Sequence, residues 1–268
     1  MELRQHALQV LCVAEPAPKA SAARALLARA RAGQMPLDPQ AVLTPPAGLP
    51  GRPARPRLVP PGQVPRRSPF GREGRAALLH AIAHIEFNAI NLALDAVWRF
   101  PGMPDAYYLD WLQVAGEEAL HFTLLREHLV QSLQHDYGDF DAHDGLWAMT
   151  EKTASDIVAR MALVPRTLEA RGLDATPPIQ AKLARAGDAR AVQILDIILR
   201  DEIGHVAIGN RWYAWLCERE GLDPVRHYER LVERYAAPRL KPPFNRAARL
   251  AAGFSEAELG YLQDTSSP

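Results

Sequence analysis

Two matched sets of glutamate and histidine residues constrain the fold of this chain more than any other feature. In each set a lone glutamate is followed, about nine helical turns later, by a Glu-x-x-His sequence: the sets are Glu86 with Glu118 and His121, and Glu169 with Glu202 and His205. The two glutamates are 32 residues apart in the first set and 33 in the second, and a turn sequence lies near the middle of each interval, at 101–104 and at 186–188. Each set therefore predicts two antiparallel helices that bring the lone glutamate level with the Glu-x-x-His.

The chemistry of these six side chains favours a metal centre. Residues three positions apart share one face of a helix, and both Glu-x-x-His sequences lie on faces that are otherwise apolar. A buried carboxylate is very costly unless it is paired or bound to a metal, and clustered carboxylates raise one another's pKa unless cations neutralise them. Four carboxylates and two imidazoles from four helices are the inward-facing ligands of a dinuclear carboxylate site. The alternative is that they form hydrogen-bonded pairs, or lie exposed, without a metal.

Apolar residues recur at helical spacing over four long segments, which predicts an all-α fold. The segments are about 72–100, 104–135, 146–186 and 188–220. The third is less regular because Pro165, Gly172 and the pair Pro177-Pro178 interrupt it, and proline inside a helix kinks or breaks it. We therefore predict a bent or interrupted third helix and no strands.

Symmetry selects the ligand from the third helix. Glu151 and Asp156 lie in the same segment and compete with Glu169. Glu151 lies 51 residues from Glu202, whereas Glu169 keeps the two intervals nearly equal. Glu169 is therefore the predicted ligand.

The residue before each motif glutamate is also acidic, Glu117 in the first set and Asp201 in the second. A metal-bound imidazole usually donates its other N–H to a carboxylate. We expect Asp201 to accept from His121, and Glu117 to accept from His205, although adjacent glutamates also occur on solvated faces. Gly204 is expected to make room for a close helix approach, for substrate or for oxygen.

Other histidines and aromatic residues of the predicted helices are interpreted as structural. Trp111 and Trp212 lie seven residues from a proposed ligand on the same face and are expected to pack, with gating or electron relay as the alternative. His128 follows His121 by one heptad and is expected in the core or on the surface, with a role beside the metal site as the alternative. No converging partner is evident for the rest, namely His80, His84, His135, His143 and His227.

The predicted domain organisation has three parts. Residues 1–70 carry a short helix near 18–33 and a proline-rich arm, residues 71–222 form the four-helix bundle with the metal site, and residues 223–268 form a helical extension. Proline cannot donate to a helix or an inner strand, so the arm is expected to run irregularly over the surface of the bundle. The arginines of this region could instead contact RNA phosphates; they are Arg52, Arg55, Arg57, Arg66 and Arg67 in the arm and Arg72 just after it.

Composition excludes several classes of function. Lys and Arg number 31, as do Asp and Glu, so no global charge points to nucleic acid or to a membrane surface. Two cysteines are too few for a disulfide framework, and charged residues interrupt the apolar stretch at the start of the chain, unlike a secretory signal. The longest apolar run, near 194–199, contains Asp196 and is too short to span a bilayer. A cytoplasmic protein without membrane segments is expected.

Five sequence motifs resemble those of a bacterial branch of the ferritin-like di-iron carboxylate superfamily. The resemblance covers most of residues 70–255 and rests on His84-Ile85-Glu86, Glu117-Glu118-Ala-Leu-His121-Phe122, Leu168-Glu169-Ala-Arg171-Gly172-Leu173-Asp174, Asp201-Glu202-Ile-Gly-His205-Val206, and Pro243-Phe244-Asn245 with Ala248-Arg249 and Gly253-Phe254. The core is also similar to the tRNA isopentenyl-adenosine hydroxylase and, in its Asp-Glu-x-x-His, to the soluble methane monooxygenases. The resemblance implies a ferritin-like four-helix bundle. Its motifs are specific for the dinuclear metal site, but they do not specify a reaction.

The resemblance further implies an O₂-activating di-iron oxidoreductase of the hydroxylase or oxidase type. Glu118 and Glu202 would bridge two iron ions, with manganese as an alternative metal. A separate reductase would donate electrons, and the substrate would be an unknown small molecule or a modified nucleoside in tRNA. Two other classes remain open: an iron-binding or ferroxidase protein, and a metal-binding or interaction bundle without enzymatic activity. The sequence predicts no oligomeric state.

Overall fold

The computed structural model describes residues 1–65 and 67–264, and Arg66 of the predicted arm lies outside them. These residues form an all-α structure, as predicted, in which the only extended pairing is an isolated bridge between Leu58 and Ala142. The helices are α1 (Leu3–Cys12), α2 (Pro16–Arg31), α3 (Arg72–Arg99), α4 (Asp105–His128), α5 (Gly145–Lys152), α6 (Ile157–Leu163), α7 (Ala170–Arg185), α8 (Ala189–Glu220), α9 (Pro224–Arg234), α10 (Arg246–Ala251) and α11 (Glu256–Asp264). Short π-helical segments at Leu129–Leu133 and Val164–Glu169 follow α4 and α6.

The chain divides into two compact units, which are described separately. The first comprises residues 1–147 and 182–194, and the second comprises residues 148–181 and 195–268.

In the first unit, α3 and α4 form the first predicted helix pair. The bounds of α3 and the start of α4 agree with the prediction to within a few residues, whereas α4 ends at His128 and a π-helical segment continues to Leu133, near the predicted end. The chain reverses between them at Gly102, whose φ of +78° suits glycine. Helix α2 packs against α4 at Gly116, where an added Cβ would lie 2.4 Å from the Leu27 side chain. Helix α1, which the sequence analysis missed, packs against α3. Among the described residues, α3 alone is long and apolar enough to cross a membrane, but 78% of that window is buried, as in the core helix of a soluble protein.

Two buried cations fasten the N-terminal segments to α3. Arg4 donates to five backbone carbonyls, which belong to Asp38, Pro39, Ala41, Val97 and Trp98. Lys19 donates its Nζ protons to the Gly51 carbonyl at 2.7 Å and to Asn91 Oδ1 at 2.6 Å. Burial lowers the pKa of Lys19 to about 7. These bonds hold the proline-rich arm against the helices.

Three arginines of the arm contact the loop that follows α4. Arg52 pairs with Asp144 at 2.8 Å, and Arg57 pairs with Asp141 at 2.6 Å. The guanidinium of Arg67 lies over the ring of Phe140 in the same loop. These arginines therefore bind the arm to the rest of the first unit, as expected for an arm that runs over the protein surface.

In the second unit, the third predicted helix is interrupted where Pro165 lies. Helix α6 continues there into the π-helical segment Val164–Glu169, because proline has no N–H to continue the α-helical ladder. The Thr167 hydroxyl donates to the Ala162 carbonyl at 2.9 Å and satisfies a backbone acceptor at this irregularity.

The predicted break at Gly172 and at Pro177-Pro178 is wrong, because α7 runs without interruption from Ala170 to Arg185. The N–H that Pro177 lacks would have bonded to the carbonyl of Leu173. The side-chain amide of Asn245 donates to that carbonyl instead, at 3.1 Å. A partner from a distant part of the sequence thus compensates for the proline.

The C-terminal extension packs onto α7 and α8 within the second unit. Phe254, Leu259 and Leu262 join Leu173 and Val206 in a buried apolar cluster. For this extension the sequence predicts short helices near 224–235 and 255–263, with a proline-punctuated loop between them. Helices α9 and α11 confirm the two short helices, and α10 lies within the predicted loop. The loop prediction at α10 is therefore wrong; the Asn245 side chain caps the N-terminus of this helix by accepting from the Ala248 N–H.

Candidate metal centre

The first predicted ligand set lies together in the interior of the first unit. Glu86 on α3, and Glu118 and His121 on α4, are all buried. The Nδ1 atom of His121 lies 3.1 Å from Glu86 Oε2 and 3.2 Å from Glu118 Oε2. One ligand atom from each residue lies within 4.8 Å of the other two. Such a buried cluster of carboxylates and imidazole can bind a metal ion.

The electrostatics of this cluster favour a cation. Burial, and then the neighbouring Glu118 carboxylate, raise the pKa of Glu86 well above its usual range, and the hydrogen bond from His121 opposes them only in part. Without a cation, Glu86 therefore keeps its proton to a higher pH than an ordinary glutamate does. A divalent ion would remove the repulsion between the two carboxylates.

The spacing of the three ligand atoms also suits a metal. Neighbouring ligands at right angles around an ion, each about 2.1 Å from it, lie about 3.0 Å apart. The measured separations of 3.1 and 3.2 Å agree with that value. An ion bound by these three side chains would replace the hydrogen bonds between them.

The second predicted set lies in the second unit on α8 and on the π-helical segment. Glu202 and His205 are buried on α8, with His205 Nδ1 3.8 Å from Glu202 Oε1. Glu169 is the last residue of the π-helical segment and is also buried. Gly209 on α8 lies where an added Cβ would be 2.5 Å from Pro165 Cβ. A glycine is therefore needed where α8 crosses this segment.

The two competing residues of the third helix have other roles. Glu151 is exposed on α5. Asp156 caps α6 by accepting from the Ala159 N–H at 2.9 Å, and it also accepts from the Tyr235 hydroxyl at 3.0 Å. Among these three acidic residues, Glu169 alone is buried.

The predicted supporting carboxylates have near neighbours on their own helices. Glu117 accepts a hydrogen bond from Gln113 at 3.1 Å, and Asp201 pairs with Arg200 at 2.8 Å. The bonds predicted from these carboxylates to the ligand histidines stay predictions. Around Gly204, no described atom lies within 4 Å of an added Cβ, so the close helix approach predicted there is wrong.

A cluster of histidines and aromatic rings beside the first ligand set was missed. His84 Nδ1 accepts from the Tyr137 hydroxyl at 2.8 Å, and His80 Nε2 accepts from the Gly138 N–H at 2.9 Å. The Tyr137 ring packs against Phe87 and Phe122, with centroids 5.4 and 5.1 Å away. The spacing of four between His80 and His84 places both on one helix face and could have indicated the cluster.

Another histidine, His128, is buried, and its Nε2 atom lies 2.9 Å from a carboxylate oxygen of Asp188. It therefore lies in the core, as expected. Trp111 and Trp212 are also buried, which agrees with the packing role predicted for them.

Comparison with known proteins places the chain in a family. Residues 12–260 match the family described as "Protein of unknown function (DUF455)", and the chain belongs to this family. A protein of Haemophilus influenzae (strain ATCC 51907 / DSM 11121 / KW20 / Rd), described as "Uncharacterized protein", is 54% identical over 219 residues, covering 79% of this chain and 76% of its own length. No significant match to a solved structure was found.

Proposed function

We propose that this protein is an O₂-activating dinuclear iron oxidoreductase with a ferritin-like core. In the proposal, α3, α4, α8 and the segment from α6 to α7 supply the four helices of the bundle. Two iron ions would be held by Glu86, Glu118, His121, Glu169, Glu202 and His205, with Glu118 and Glu202 as bridges. The buried cluster of Glu86, Glu118 and His121 is the observation that carries the proposal.

The donor set supports iron as the metal. Carboxylate oxygens and imidazole nitrogens suit iron and manganese, whereas the softer thiolate ligands favour copper(I), zinc and iron–sulfur clusters. Cys12 and Cys217 are both free thiols, and neither belongs to the proposed set. When bound, two ferrous ions would supply the electrons that reduce O₂ and the oxidising power that acts on an organic substrate.

The protein's own residues would prepare the site by exchanging protons for metal. Glu86, whose pKa is raised, would give up its proton when metal binds, and His121 would bind the ion through an unprotonated ring nitrogen. Metal affinity should therefore increase with pH. The buried aromatic rings of Phe87 and Phe122, each directly after a proposed ligand, would limit the access of water to the carboxylates.

The proposed substrate is an organic molecule, and electrons would come from a separate reductase in the cytoplasm. A modified nucleoside in tRNA is a more specific hypothesis for the substrate. It has less support, because ion pairs within the first unit already engage Arg52 and Arg57 of the arm. Binding of tRNA at low salt, measured by gel mobility shift, would support the RNA hypothesis, and the absence of binding would contradict it.

The proposal can be tested by loading metal-free protein anaerobically with Fe²⁺ and exposing it to O₂. We expect about two irons per chain and a change in visible absorption on contact with O₂. The variant Glu127→Gln, which alters an exposed carboxylate on the same helix as Glu118, should behave like the wild type. Tight binding of Zn²⁺ without any response of the iron-treated protein to O₂ would contradict the proposal. A large hollow assembly that accumulates iron would favour storage instead.

A further inference from the structure

The C-terminal extension contacts the helical turns on both sides of Glu169. We call Asn245, Arg249 and Glu258 the C-terminal clamp. Before Glu169 in the sequence, Arg166 donates to Glu258 and, at 2.6 Å, to Asn210. The Arg166 guanidinium is buried, and it lies 4.5 to 5.3 Å from the ring centroids of Tyr213, Tyr228 and Phe254. This side of the clamp holds the π-helical segment that ends at Glu169.

The other side of the clamp holds the first turns of α7. Arg249 is fully buried and donates to both oxygens of Asp174, at 3.0 and 2.6 Å. The same guanidinium donates at 3.4 Å to the carbonyl of Ala170, the residue directly after Glu169. Asn245 adds two bonds, from its backbone N–H to Asp174 at 2.8 Å and from its side chain to the Leu173 carbonyl at 3.1 Å. The chain is therefore fixed immediately after the proposed ligand.

These contacts matter because the helix alone does not fix the direction of Glu169. A π-helical turn is a rare winding that occurs mostly as single turns at functional sites. Pro165 has no N–H for the helical ladder, so bonds from outside the segment decide its conformation. Glu258 is itself held in place, because its other oxygen accepts from the Ser255 N–H and hydroxyl at the start of α11. The contacts that orient a metal ligand commonly tune metal affinity.

We infer that the C-terminal clamp positions Glu169 for metal binding. The extension would then contribute to metal affinity as well as to the packing of the second unit. The inference rests on the proposed dinuclear function. It assigns a positioning role to Asn245, Arg249 and Glu258, none of which is a proposed ligand.

The test compares two glutamates of the same helix, α11. Glu258→Gln keeps the shape of the side chain but removes the charge that Arg166 contacts. Glu256→Gln is the matched control, because Glu256 pairs with Arg246 on the surface, where both side chains are about half exposed or more at 67% and 48%. Asp174→Asn tests the Arg249 side. Full-length, metal-free proteins are titrated with Co²⁺ alone by calorimetry, and their thermal unfolding is measured in parallel.

We expect the wild type and Glu256→Gln to bind about two Co²⁺ ions. Glu258→Gln and Asp174→Asn should retain the first ion with unchanged affinity and should bind the second about 10- to 100-fold more weakly. If Asp174→Asn does not fold, Glu258→Gln still provides the test, because Arg166 keeps its bond to Asn210. Lower thermal stability with two unchanged affinities would show that the clamp is only structural and would overturn the inference. Fewer than two ions on the wild type would instead overturn the dinuclear proposal, and the inference with it.

Discussion

The two ligand sets look equivalent in the sequence, but their surroundings in the structure differ. Glu86, Glu118 and His121 lie on α3 and α4, two regular helices, and His121 Nδ1 is within hydrogen-bonding distance of both carboxylates. In the second set, the distance from His205 Nδ1 to Glu202 is 3.8 Å, and Glu169 ends a π-helical segment. The first set lies on two regular helices, whereas in the second set Glu169 lies on an irregular segment that the C-terminal extension contacts on both sides.

The difference shows two ways of preparing a buried polar site. A pair of regular helices fixes the side-chain directions through backbone geometry, and the cost is the repulsion between Glu86 and Glu118. An irregular helix allows more freedom at Glu169, and we infer that the C-terminal clamp, with its buried Arg249, limits that freedom. We therefore expect the first set to respond mainly to changes of charge and the second mainly to changes of packing.

The largest expected effect is that of Glu118→Gln on metal binding. The substitution removes a proposed bridging carboxylate, so iron affinity should fall by more than the roughly 10- to 100-fold typical of changes outside the ligand sphere. Iron per chain after anaerobic loading is the measurement. Unchanged iron content in a folded Glu118→Gln protein would contradict the comparison between the two ligand sets, because the first set would then not be a metal site.

The sequence predicted much of the fold because helical periodicity is a local signal. The bounds of α3, α4 and α8 follow from apolar residues spaced three and four apart. The continuity of α7 could not be predicted in this way, because the carbonyl left by Pro177 is satisfied by Asn245, which is far away in the sequence. Helix α1 was missed because its apolar residues were considered only as a targeting signal.

The candidate site was partly predictable for the same reason. The Glu-x-x-His spacing identifies Glu118 and His121 as neighbours on one helix, and the turn between α3 and α4 brings Glu86 to them. The partners of Arg166 and Arg249 are set by how the C-terminal extension packs, which no local spacing reveals. The motifs at 168–174 and 243–254 were recognised as sequence features, and the structure shows that they bind each other through Asp174, Asn245 and Arg249.

The second prediction concerns packing and compares Gly209→Ala with Gly116→Ala. At Gly209 the new Cβ would lie 2.5 Å from the rigid ring of Pro165, so we expect a loss of about 1–3 kcal/mol in the free energy of unfolding. At Gly116 the nearest atom is the end of the Leu27 side chain, at 2.4 Å, which can rotate away at lower cost. Urea unfolding of the metal-free variants measures both effects. Equal losses would contradict the view that the π-helical segment is the more sensitive region.

The third prediction concerns pH and the first ligand set. The pKa of Glu86 is raised from its ordinary value of 4.5. Its contribution to stability is therefore fully present below that value and is lost as pH rises through the folded-state pKa. One such group changes the free energy of unfolding by at most about 1.4 kcal/mol per pH unit. Metal-free wild type should lose this contribution as pH rises above about 4.5 towards the raised folded-state pKa, and Glu86→Gln should not.

Two buried histidines provide an internal contrast for that measurement. Burial lowers the pKa of His84 to about 3 and that of His80 to about 4. Their contributions are present above the ordinary value of 6.5 and are lost as pH falls towards the folded-state pKa values. Because this acid-side loss should occur equally in wild type and in Glu86→Gln, the difference between the two unfolding curves isolates Glu86. Parallel curves across the whole range would show that Glu86 is already charged without metal.

The smallest expected effect is that of Gly204→Ala, which lies between Glu202 and His205. No described atom lies within 4 Å of the added Cβ, so the methyl group should fit without displacing a neighbour. Alanine is favoured over glycine inside a helix by up to about 1 kcal/mol, so the metal-free protein should become slightly more stable. Affinity for the second ion should stay the same, because the added methyl group meets no neighbouring atom that it could displace. A weakened second ion in this variant would show that the open space beside α8 is used by the metal or by a molecule bound to it.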